Sequence, residues 1–188
     1  MIKTKKSHRT RVCQGDVYQD IEHIEYIVEK SGQLEISKIV FPLVVVLTQD
    51  CDLAQDYKFR WSKKNTSTQD KWLISVLVAP MYNAEHVFSG EHLSLLGMTM
   101  EPINSKKTPG KLLCSNERPR YHHLVFPDSI PIVDSVVDFK HYFSANIQYL
   151  RHIRKKKFVC RLAELYREDV SQRFAAYLSR IGLPDQVA

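Results

Sequence analysis

The chain predicts an α+β domain, and two observations carry that prediction. Short segments rich in β-branched and aromatic residues alternate with turn residues, and two of them, Phe41–Leu47 and Trp72–Ala79, are almost wholly apolar. Near the C-terminus the period changes: Leu162, Tyr166, Val170, Phe174 and Leu178 recur every four residues, the spacing of an amphipathic helix. At 188 residues the chain can fill one good core and is short for two full domains.

The elements follow in order. Residues 1–10 read as a mobile basic arm, and Gln14-Gly15-Asp16 is a turn that opens a first strand through Ile21. Glu22–Glu29 continues extended, with Ile24, Tyr26 and Val28 on it, and Ser31-Gly32 is the next turn. Ile36–Leu47 is the central strand, with Pro42 marking a bulge or a local edge near its start. Tyr57–Lys71 shows no period and reads as a long loop. Trp72–Ala79 is a buried strand that Pro80 stops. Asn83 caps a helix running through His86 and Val87 toward Leu95, interrupted by Gly90. Lys106–Gly110 is a turn, Lys111–Ser115 and Tyr121–Phe126 are short strands, and Val133–Phe143 is another. The terminal helix stops at Gly182 and Pro184.

Composition narrows the function classes. An apolar fraction of 44% and a charged fraction of 26% are ordinary for a globular protein. The longest apolar run, Leu43–Leu47, is far too short to span a bilayer, and the charged N-terminus has no apolar signal core. A cytoplasmic protein without membrane contact is the expectation. Cys13, Cys51, Cys114 and Cys160 stand singly, so free thiols are expected, three of them in apolar surroundings, with no zinc ribbon. A net charge of +6 and a pI of about 9.1 are concentrated at Lys3–Arg11, Lys106-Lys107, Arg118–Arg120 and Arg151–Lys157. Such clusters favour an anionic partner, nucleic acid first, against the plainer reading of a solvated surface.

Two constellations could carry chemistry. Gln49-Asp50-Cys51-Asp52 puts two carboxylates beside a thiol at a strand exit, where they could act as a base, hold a divalent cation, orient a neighbour or simply bond backbone N–H groups in a turn. If the chain stays extended there, Asp50 and Asp52 point the same way. Glu117-Arg-Pro-Arg-Tyr-His-His123 combines phosphate-binding guanidinium groups, histidines that exchange protons near neutral pH and an aromatic ring for stacking. The plainer reading is an exposed basic hairpin with one packed histidine. His122, His123, Asp50, Asp52 and Cys51 have no local spacing that asks for a metal ion, and none is assigned.

Three segments resemble the MazF/PemK/Kid group of toxins. Gln14–Asp20 resembles that family's opening Gly-Asp strand, Phe41–Thr48 its Arg-Pro-x-Val-Val-Leu-Ser strand, and Leu73–Pro80 the strand that follows. The resemblance covers mainly residues 12–82. It implies an SH3-like β-barrel, expected over residues 12–145 with insertions; the helix read from its apolar period follows at 160–182. It also implies metal-independent cleavage of single-stranded RNA by a homodimer. Phe41 stands where the family has the arginine that acts on the scissile phosphate, and Met81-Tyr82 follows Pro80 in place of a Ser or Thr. The resemblance therefore speaks for the barrel and for nucleic-acid binding more than for cleavage.

Together these readings predict a nucleic-acid-interacting protein of toxin or phage-defence type, with single-stranded RNA favoured and no cofactor. If it cleaves RNA, the catalytic set is Asp50, Arg120, His122 and His123. The binding set is Arg118, Arg120, Tyr121, Arg154, Lys155, Lys156 and Lys157. The alternative is a non-catalytic accessory subunit that docks on a larger protein encoded nearby, with the Tyr57–Trp61 aromatics as anchors.

Overall fold

The computed structural model describes residues 1–6, 10–61 and 68–180. Among them, eight strands form one antiparallel sheet: β1 (Thr4–Lys5), β2 (Asp16–Lys30), β3 (Gln33–Val46), β4 (Ser75–Asn83), β5 (Tyr121–Leu124), β6 (Ser135–Asp138), β7 (Phe143–Asn146) and β8 (Phe158–Leu162). The strands lie in the order β1-β8-β2-β3-β4-β6-β5, and β7 also pairs with β4. The sheet curls into half of a barrel. Five helices flank it: α1 (Asp50–Trp61), α2 (Ala84–Ser89), α3 (Thr108–Cys114), α4 (Ile147–Lys157) and α5 (Glu164–Leu178). The α+β class is as expected.

β2 and β3 form one long hairpin. Ser31 and Gly32 at its tip have positive φ angles of 53° and 78°, the mirror-image turn that matches strand twist. The alternation of side chains breaks at Pro42, so Phe41 and Val44 face the same core cluster instead of opposite ones. On the partner strand Asp20 takes a positive φ of 48°. One face of the sheet buries Tyr18, Ile21, Phe41 and Val44 against Leu53 of α1 and Leu150 of α4. The other buries Val17, Val45, Met81 and Phe139 against Val170 and Phe174 of α5. α5 thus closes the second core, as its apolar period requires. Leu165 and Leu178 stay exposed.

Several expectations change. The basic arm is not free over its first part: Thr4 and Lys5 pair with Leu162 and Arg161, and Ile2 is buried. The terminal helix starts at Glu164, because 160–162 extend β8 as buried Cys160, Arg161 and Leu162. Its stop signals at Gly182 and Pro184, like residues 62–67 of the expected loop, lie outside the described residues. The rest of that loop begins as α1, which hides its period because it buries a carboxylate, Asp56, beside Leu53. Lys111–Ser115 is helical in α3, where Pro109 in the first turn is a start signal. Pro80 does not stop β4. It pairs with Val44 at the break between β6 and β7, and bulges are where sheets accept proline. Asn83 caps α2 as expected, accepting from Glu85 N, and Gly90 ends the helix at φ 83°. Two thiols, not three, are buried: Cys13 and Cys160.

Candidate functional site

Asp50 opens α1 and is already engaged. Arg11 grips it through two bonds of 2.8 and 3.0 Å, and Gln14 N donates at 3.2 Å. Burial raises its pKa, but the Arg11 bonds outweigh this and hold the carboxyl below its usual range. Because the segment is helical, Asp50 and Asp52 point to different sides rather than the same one. Cys51 is exposed beside Gln49 and Asp52.

Arg120 belongs to a different cluster, centred on Asp138. The carboxylate lies at the break between β6 and β7 and is fully buried. It accepts from Arg120 Nε at 2.8 Å and Nη2 at 2.6 Å, from Lys140 N at 3.0 Å, and bonds His141 Nδ1 at 2.7 Å. Burial works to raise its pKa, yet the Arg120 and His141 bonds drive it far below the usual carboxylate range. The Arg120 guanidinium also covers the Tyr121 ring at 4.7 Å, with Arg118 at 5.7 Å. Tyr121 is only 4% exposed, so its ring offers no face to a base.

His122 and His123 point to opposite sides of β5, as a strand requires. His122 is buried against Phe139, 3.8 Å from Asp169 of α5. Burial, then the neighbouring charges of Arg173 and His123, pushes its pKa down to about 3, so it is neutral at physiological pH. The backbone of His123 exchanges two hydrogen bonds with the Asn116 side chain. Both histidines line a small pocket with Asn116 and Tyr166, whereas Asp50 lines a separate cleft with Gln14, Cys51 and Glu168. The four expected catalytic residues do not line one cleft.

The basic run 151–157 is a helix. Asn146 caps α4 by accepting from Gln148 N and Tyr149 N, and Ile147 and Leu150 anchor it to the core. Arg154, Lys155, Lys156 and Lys157 then occupy its last turn, where the helix dipole favours cations. Lys155 and Lys156 are exposed, and Lys157 reaches Asp20 at 3.1 Å. Arg151 lies over Trp61 at 3.8 Å and Tyr57 at 5.4 Å. Burial and the like charge of Arg154 lower the Arg151 pKa, and neither Arg151 Nη1 nor Arg154 Nε finds a hydrogen-bond partner. Beside them Arg60, held by buried Asp56, covers Trp72 at 4.4 Å. Trp61 and Trp72 remain 54% and 39% exposed.

Arg151, Trp61 and Trp72 are missing from the expected binding set, because only the fold brings the end of α1 against α4. Asp138 was detectable: a carboxylate inside the apolar run Val136-Val137-Asp138-Phe139 demands a buried partner. Among the described residues, no group of three His, Cys, Asp or Glu side chains is arranged to hold a metal ion. No helix among them is long and apolar enough to cross a membrane. No family model and no curated protein matches the chain.

Proposed function

We propose that this protein binds single-stranded nucleic acid, RNA before DNA, on the surface formed by α4 and the end of α1. The observation that carries the reading is the Arg151–Lys157 run set against exposed Trp61 and Trp72. Lys155 and Lys156 of that run are exposed, and the Arg151 guanidinium packs on the Trp61 ring. Exposed ammonium groups attract phosphates, and exposed indoles supply stacking platforms for unpaired bases. Indoles stack only bases that are free of a duplex, which favours a single strand.

Binding is favoured over cleavage. Asp50 is engaged by Arg11, Arg120 by Asp138, and His122 is neutral, so these groups add no support for a catalytic set. The toxin or phage-defence setting is carried by the resemblance of three segments to the MazF/PemK/Kid group. The β2-β3-β4 meander follows the order of those segments, and we extend the proposal to an SH3-like barrel on that basis. Fluorescence anisotropy with a labelled single-stranded RNA tests the binding surface. Arg151→Ala with Lys156→Ala should weaken binding at least tenfold, and Trp61→Ala about as much, since one stacked base contributes ~1–3 kcal/mol. Equal affinity for wild type and all these variants would reject the surface.

A further inference from the structure

One buried carboxylate clamps the segment that carries Trp72 to α1. Asp56 is 1% exposed, and its Oδ1 accepts from Arg60 Nε at 3.0 Å, Arg60 Nη2 at 2.6 Å and Leu73 N at 2.8 Å. Arg60 Nη2 donates again, to Leu73 O at 2.6 Å. The residue after Trp72 is thus held by both of its backbone groups. The same guanidinium lies over the Trp72 ring at 4.4 Å. Trp72 N donates to Gln69 O at 2.8 Å, and Ile74 O accepts from Ile147 N at 3.4 Å, which ties the segment to the first turn of α4.

A guanidinium is planar, and bonds through both Nε and Nη2 to fixed acceptors set the direction of its plane. That plane sets the tilt of the indole packed on it. Arg60 itself is covered, with a side chain 14% exposed, whereas Trp72 keeps 39% of its surface open. The pair therefore presents a ring to solvent more than a charge. Arg151 on Trp61, at 3.8 Å, is the matching stack, and the two are neighbours because Arg60 and Trp61 are adjacent residues. The Arg151 pKa reflects the same proximity: burial lowers it first, then Arg154, and Arg60 contributes in the same direction.

Resting on the nucleic-acid reading above, we infer that the α4 surface stacks two neighbouring unpaired bases, one on Trp61 and one on Trp72, and that Asp56 is the positioning residue of the second platform, acting through Arg60. Each indole has a guanidinium against one face, and a base on the other face continues the stack. Asp56 touches no ligand. Its effect on binding passes through the plane of Arg60 and the tilt of Trp72.

The chain has two tryptophans, so Trp61→Phe leaves Trp72 as the one indole that emits, and Trp72→Phe leaves Trp61. Indole emission is followed while each full-length protein is titrated with oligouridylate about eight nucleotides long, within the span of a single-strand site. Oligouridylate should quench both indoles. Arg60→Lys keeps the charge and loses the planar fork. It should cut the Trp72 quenching at least threefold and weaken oligouridylate about fivefold, the low end for one stacked base. Trp61 quenching and the salt slope of binding should stay as they were, since the phosphate contacts are unchanged. Asp56→Asn keeps the shape and loosens the hold on Arg60, so it should act the same way, and the double variant should lose no more than either single one. Unchanged Trp72 quenching in both variants, or equal loss at Trp61 and Trp72, would overturn the positioning role and leave the α4 surface standing. Quenching of Trp61 without any at Trp72 would overturn the second platform alone. Absence of oligouridylate binding in the wild type would overturn this inference together with the nucleic-acid reading.

Discussion

If Arg120 is a structural cation, uncoupling it from Asp138 should unfold the protein rather than disturb a reaction. Asp138 is fully buried and draws two bonds from Arg120, one from Lys140 N and one with His141. Asp138→Ala removes the acceptor and leaves the half-buried guanidinium facing an apolar hole. Removing one partner of a buried ion pair costs about 3–5 kcal/mol, much of it the penalty for the stranded charge. Replacing both partners by apolar residues strands no guanidinium charge, although Lys140 N and His141 still lose their acceptor, so the double variant Arg120→Met with Asp138→Leu should lose less than the sum of the two single replacements. A coupling energy of at least ~2 kcal/mol is expected. Urea unfolding at pH 7 measures all four proteins, with an unchanged slope showing that the same surface unfolds. An Asp138→Ala loss below about 1 kcal/mol, or strictly additive singles, would refute the reasoning.

Other positions give sharp outcomes. Phe174→Ala should cost about 3–5 kcal/mol in a thermal or urea melt, because the ring is buried and meets Phe139 at 5.6 Å. Gly90→Ala should be destabilising by more than the ~1–3 kcal/mol of a strained left-handed residue, since the added Cβ meets Met100 O; an unchanged melt would show that the α2 end reshapes freely. His122 is held neutral with a pKa pushed down to about 3, below the unfolded value, so the unfolded chain binds the extra proton first. Stability should therefore be full above about pH 6.5 and fall progressively toward pH 3. A His122→Gln variant should show a flatter pH dependence over that window, and identical profiles would contradict the burial.

Local rules made much of the fold readable. β3 shows in its apolar run, the hairpin tip in Ser31-Gly32, α2 in its Asn83 cap and Gly90 stop, and α5 in its four-residue period. α1 and α3 escaped for different reasons. α1 has no apolar stripe because Asp56, with Arg60 and Leu73 N as partners, takes a core position. α3 is short, and its first-turn Pro109 beside Gly110 imitates a turn. The strand expected at Val133–Phe143 exists in two pieces, parted where Asp138 turns inward to collect Arg120 and His141. The site was less readable than the fold. The charge clusters were visible, but a guanidinium looks the same in sequence whether it faces a phosphate or a buried carboxylate. Arg120 and Arg151 differ only through Asp138 and Trp61, residues distant in sequence or unremarkable by themselves.

The α4 surface makes one quantitative demand. Single-stranded binding loses about 0.7 in log-log salt slope per phosphate contacted, so four to five contacts from Arg151, Arg154, Lys155, Lys156 and Lys157 predict a slope near −3. An anisotropy titration of single-stranded RNA across salt concentrations measures it directly. A slope near −3 that collapses toward zero in a variant carrying glutamine at those five positions is the predicted result. A flat salt dependence in the wild type, or the same slope in both proteins, would contradict the account.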